Sequence, residues 1–89
     1  MLTVIEAQNI GRNKCIELLG RDNIRARKDT ACAAYGTEFS DGKIRYFIGI
    51  TDSPVATGKI NTRNTNYEYR AIVDVYQDGT VDVVECVTP

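Results

Sequence analysis

YEYRAIVDVYQDGTVDVVECV, residues 67–87, is the stretch on which the fold turns. Tyr67, Tyr69, Ala71, Val73 and Val75 alternate with Glu68, Arg70, Ile72, Asp74 and Tyr76. That period of two is the mark of a β-strand with one buried face and one mixed face. TVDVVECVT continues the β-branched pattern beyond Gln77-Asp78-Gly79. A three-residue loop with Gly in the left-handed position makes this a hairpin. It predicts that Val75 pairs with Val81, Val73 with Val83 and Tyr69 with Val87.

Upstream, TACAAYGTEF and KIRYFIGIT flank Ser40-Asp41-Gly42, which has the same hairpin chemistry. A three-residue loop places Phe39 opposite Lys43, Gly36 opposite Tyr46, Ala34 opposite Ile48 and Cys32 opposite Ile50. Small residues then face large ones, and the other face sets Tyr35 against Phe47. A two-residue loop instead pairs Tyr35 with Ile48 and Thr37 with Tyr46. One residue of slip exchanges the faces, and the sequence leaves both registers open. FSDGKI and YQDGTV echo each other, but no second helical segment repeats with them. The echo is read as convergence on good turn chemistry.

The N-terminal segment has the other period. Thr3-Val4-Ile5-Glu6 has the spacing of a capping box, in which the Thr3 hydroxyl and the Glu6 carboxylate each accept from the other's backbone N–H. Val4, Ala7, Gly11, Cys15 and Leu18, with Leu19 beside them, then form one apolar stripe at helical spacing. Gly20 supplies the stop. Gly11 lowers helix propensity by about 1 kcal/mol relative to Ala, and close packing against a partner is the expected compensation. The order predicts a single α+β domain over 1–89, an N-terminal helix packed on a four-stranded antiparallel meander sheet made of two hairpins. This plan is similar to that of the cystatin-like and monellin-like folds.

Two polar segments join these elements. The 21–28 connector carries Arg21, Arg25, Arg27 and Lys28, with Ile24 as its large apolar residue. SPVATGKINTRNTN, residues 53–66, separates the two hairpins and is rich in Thr and Asn. A polar connection this long in a small domain is expected to carry recognition. Lys59, Asn61, Arg63 and Asn64 are its candidate contacts. Pro54-Val55-Ala56-Thr57-Gly58 resembles the Q-x-V-x-G loop with which cystatins enter the cleft of papain-like proteases. The Gln is missing, the spacing to Gly is longer by one, and the chain has no Trp, so the family is not assigned.

Composition removes several chemistries. The chain has no His, which excludes Ser-His-Asp and Cys-His catalysis and His-bound zinc. Cys15, Cys32 and Cys86 are widely spaced with no C-x-x-C pair, so no metal site is expected. They read as small buried hydrophobes in a reducing compartment, with one bridge plus a free thiol as the alternative. Gly58-Lys59 lacks the remaining P-loop residues. Asp74 and Asp82 face each other in the predicted hairpin and are the candidates for a carboxylate dyad. Two solvated aspartates are the commoner outcome on a sheet face.

Eleven Lys and Arg against twelve Asp and Glu leave a net charge of −1, so any electrostatic attraction must be local. The N-terminus lacks the uninterrupted apolar run of a secretory signal, and no segment is apolar enough to span a membrane. The expectation is a cytoplasmic, non-catalytic binding protein, an inhibitor or adaptor with no cofactor. It acts through the 53–66 loop and a sheet face carrying Tyr35, Phe47 and Tyr76, with another protein or a second copy of the chain as partner. The alternative is a nucleic-acid-associated module using Arg12 and the basic 21–28 connector. An enzyme using paired carboxylates stands third.

Overall fold

The computed structural model describes residues 1–27, 29–52 and 67–89. Two helices, α1 (Val4–Leu19) and α2 (Arg21–Ala26), precede four strands: β1 (Asp29–Ser40), β2 (Lys43–Thr51), β3 (Tyr69–Tyr76) and β4 (Val81–Val87). The strands form one antiparallel sheet in the order β1-β2-β3-β4. The fold is α+β, an N-terminal helix packed on a four-stranded meander.

The start of α1 follows from its cap. The Thr3 N–H donates to the Glu6 carboxylate at 2.9 Å, and the Glu6 N–H donates to the Thr3 hydroxyl at 3.2 Å. The hydrogen bonds from Thr3 hold the Glu6 carboxyl below its usual range. Gly20, at φ +88°, ends the helix while its N–H donates to the Ile16 carbonyl. Between these caps Ala7, Gly11, Cys15 and Leu19 are buried, one residue in four. The small side chains of Ala7 and Cys15 and the bare Gly11 bring the helix down onto β2 and β3, with Leu19 filling the core at its end. A Cβ built on Gly11 would lie 2.8 Å from the Tyr46 Cβ, so the close approach requires glycine.

Beneath α1 the core comprises Ile44, Tyr46, Ile48 and Ile50 of β2 with Ala71, Val73 and Val75 of β3. These are alternate residues, as the period of two requires. The Cys15 thiol reaches the Ala71 carbonyl at 3.5 Å, and burial pushes it up to about 12.

The hairpins differ in how closely they follow expectation. At the second, Val75 pairs with Val81 and Val73 with Val83, and Gly79 takes φ +91°. The Tyr76 N–H donates to the Thr80 carbonyl, closing the three-residue loop. An irregularity between Ile72 and Val73 then shifts the ladder, so Val87 pairs with Arg70 rather than Tyr69. At the first hairpin the three-residue loop is overturned. Ser40 pairs with Lys43, and Asp41 and Gly42 both have positive φ, at 54° and 74°. Positive φ at both central positions marks a type I′ turn, whose twist matches the strands. A second irregularity between Tyr35 and Ser40, where Gly36 sits at φ +83°, then moves β1 along. Ala34 pairs with Tyr46 and Cys32 with Ile48, two residues from the three-residue prediction. An even slip leaves the faces unchanged.

The sheet face away from α1 has its own aromatic cluster. Phe47 is fully buried, with its ring centroid 5.9 Å from Tyr35 and 6.4 Å from Tyr67. Tyr67 precedes β3 and lies across Gly49, whose missing side chain makes room for it. The expectation that Tyr67 shares the face of Tyr69 is therefore corrected.

Candidate functional site

The short helix α2 completes a corner of the molecule. Gly20 stops α1 and lets the chain reverse into a second helix. The Asn23 side-chain amide donates to the Leu19 carbonyl at 2.9 Å, satisfying one carbonyl left over at the end of α1. Arg21 and Arg25 are four apart on α2 and share one face with Ile24 beside them. Arg12 and Ile16 are four apart on α1 and flank that face.

These residues enclose a groove of about 210 Å³, lined by Arg12, Ile16, Arg21, Ile24 and Arg25 from the helices, Thr30 and Cys32 from β1, and Ile48 from β2. Ile16, Ile24 and Ile48 give it an aliphatic lining, and three arginine side chains border it. Arg12, Arg21 and Arg25 make no ion pair among the described residues. Each is exposed, so its charge stays hydrated until an anion arrives. A guanidinium binds carboxylate or phosphate with a planar fork of donors, and its weak hydration lowers the cost of doing so beside apolar surface. The Tyr46 hydroxyl approaches Cys32, and burial, with this thiol beside it, pushes it up to about 12.

The basic connector is thus divided. Arg21 and Arg25 line the groove together with Arg12. Arg27 follows the end of α2 and turns away. Its guanidinium lies 5.0 Å from the Tyr69 ring centroid, and its buried Nε sits 3.6 Å from the Asp52 carboxylate without a hydrogen bond. Lys28 lies outside the described residues. So do the 53–66 loop and its candidate contacts Lys59, Asn61, Arg63 and Asn64.

The sheet face expected to be an interface is largely consumed by internal contacts. Phe47 has no exposed surface, so its assignment as a docking anchor is corrected. Tyr35 and Tyr76 are half-buried, the latter with the Lys43 ammonium 5.9 Å from its ring centroid. Asp74 does pair in register with Asp82. Its carboxylate, however, accepts two hydrogen bonds from Arg45, at 2.8 and 3.2 Å, and lies 3.2 Å from the Lys43 ammonium. The Arg45 hydrogen bonds, opposed by burial and aided by Lys43, hold its carboxyl below the usual range. A dyad would raise one of the two carboxyls, so Asp74 does not have the character of a general acid.

Of the three cysteines, which are all free, only Cys15 is buried. Cys32 and Cys86 are exposed because each lies on an edge strand, which corrects the expectation that all three are core residues. Among the described residues no three His, Cys, Asp or Glu side chains gather as metal ligands, and no helix is long and apolar enough to cross a membrane.

The basic connector with Ile24 is legible in the sequence, but Ile16, Thr30, Cys32 and Ile48 are not evident there as companions of the arginines. The four-residue spacings Arg12-Ile16 and Arg21-Arg25 were the available signal. No protein-family model, curated protein sequence or solved structure matches the chain.

Proposed function

We propose that this chain is a non-catalytic binding protein that holds an acidic protein partner at the corner formed by Arg12, Arg21 and Arg25. The observation that carries this reading is that three arginine side chains, without ion pairs among the described residues, line one groove together with Ile16, Ile24 and Ile48. Elsewhere Arg27, Arg45 and Arg70 lie against Asp52, Asp74 and Glu85. Among the described residues, acids therefore pair with some arginines and not with this neighbouring trio. A lining of Ile16, Ile24 and Ile48 suits aliphatic side chains and the methylene stems of Glu, which favours a polypeptide over a bare phosphate backbone. The net charge of −1 gives no long-range field, so recognition is local and weakens with salt. The exposed thiols of Cys32 and Cys86 suit a reducing, cytoplasmic setting.

The test is affinity capture with the wild-type chain beside the Arg12→Gln, Arg21→Gln, Arg25→Gln triple variant, with and without nuclease. Proteins that bind the wild type, resist nuclease and are lost from the variant support the reading. Capture that disappears with nuclease transfers the corner to nucleic acid, and identical capture by both chains removes it from function.

A further inference from the structure

The groove lies beside an open strand edge. β1 is paired on one side only, with Thr30 opposite Ile50 and Ala34 opposite Tyr46, and no described strand lies on its other side. Natural sheet edges are guarded by charged residues, proline or bulges. Thr30-Ala31-Cys32-Ala33-Ala34 has none of these, and the irregularity in β1 begins only after Tyr35. Thr30 and Cys32 project to the helix side, where they line the groove under Arg12, Arg21 and Arg25. Ala31 and Ala33 project to the opposite side, with little side chain to obstruct a neighbour.

We infer that the Thr30–Ala34 edge accepts an extended acidic segment of the partner as a fifth strand, with alternate carboxylates reaching Arg12, Arg21 and Arg25. This rests on the acidic-partner reading above and adds the manner of binding. Alternate residues of a strand lie about 7 Å apart on one face, so a short segment presents several carboxylates to one cluster of arginines. Its intervening side chains stand over Ala31 and Ala33, where apolar residues fit. The segment is therefore one of alternating acidic and apolar residues. Main-chain hydrogen bonds to β1 supply affinity, and the arginines select the charge. The opposite edge is unsuited to the same segment, because β4 carries the carboxylate of Asp82 and its neighbouring Arg70 is already held by Glu85.

The probe is a soluble peptide containing Glu-Val-Glu-Val-Glu, compared with the same peptide N-methylated at alternate backbone amides and with an oligothymidylate of equal charge. Binding is followed by fluorescence anisotropy, and amide hydrogen exchange is read at residues 30–34. The peptide is expected to bind, and to lose about tenfold in affinity with Arg12→Gln, Arg21→Gln, Arg25→Gln, the combined effect of three exposed charge pairs. N-methylation is expected to weaken it comparably, and exchange at the β1 amides facing the added strand slows on binding. Arginine-dependent binding that leaves β1 exchange and the N-methylated peptide unaffected overturns strand addition but keeps the arginine corner. A preference for oligothymidylate, or no arginine-dependent binding of any probe, overturns both.

Discussion

Gly11 shows how much one residue decides. An alanine there gains about 1 kcal/mol of helix propensity. Its Cβ, however, meets the Tyr46 Cβ at 2.8 Å, close to the backbone of a central strand that cannot yield locally. Overpacking costs about 1–3 kcal/mol, so Gly11→Ala is expected to lower stability in urea denaturation despite the better helix former. Asp74 is the second such residue. Its side chain is 5% exposed, and Asp74→Ala is expected to cost about 1–3 kcal/mol through the lost charge-assisted hydrogen bonds of Arg45. Because its pKa is depressed in the folded state, this stabilisation is fully present above the unfolded-state value of about 4. It is lost as pH falls through the lower folded value. Acid titration of stability should therefore be shallower for Asp74→Asn than for wild type below about pH 4. The cysteines give a third check. Cys15 is buried with its thiol at about 12, whereas Cys32 and Cys86 are exposed. A thiol reagent at neutral pH should label Cys32 and Cys86 in the native protein, and Cys15 only after denaturation.

At the scale of elements, local chemistry was legible and its tertiary adjustments were not. The capping box at Thr3 and Glu6, the stop at Gly20 and the loop at Gly79 could be read because each is set by a few adjacent residues. The two ladder irregularities depend on how each strand meets its neighbours, so neither hairpin register could be carried to its far end from the turn. Asp41 in the left-handed region is similar, since the two-residue turn is chosen by strand twist as well as by Asp-Gly. Gly79→Ala isolates the turn contribution: its Cβ would meet nothing within 4 Å, so the cost is backbone strain alone. A loss of about 1–2 kcal/mol is expected, measured as a lower urea midpoint with an unchanged slope. The helix α2 was visible in the sequence only as a polar, basic connector. Its phase matters most, because it gathers Arg21 and Arg25 and releases Arg27.

At the scale of the whole molecule, the two sides of the sheet have different tasks. One side buries α1. The other carries Tyr35, Phe47 and Tyr67 and the Arg45-Asp74-Lys43 cluster, which is why Phe47 is internal while Tyr35 and Tyr76 stay half-buried. Among the described residues, the arginine corner has no acidic partner and the adjacent edge of β1 has no neighbouring strand. The sequence listed these arginines, but the folded chain was needed to bring Arg12 to the pair on α2. The most direct measurement follows the arginine side-chain Nε–Hε signals by NMR while the Glu-Val-Glu-Val-Glu peptide is added. Arg12, Arg21 and Arg25 should shift together, while Arg27, Arg45 and Arg70, already set against Asp52, Asp74 and Glu85, should remain in place. Equal shifts across all six, or none at the corner, would contradict the account.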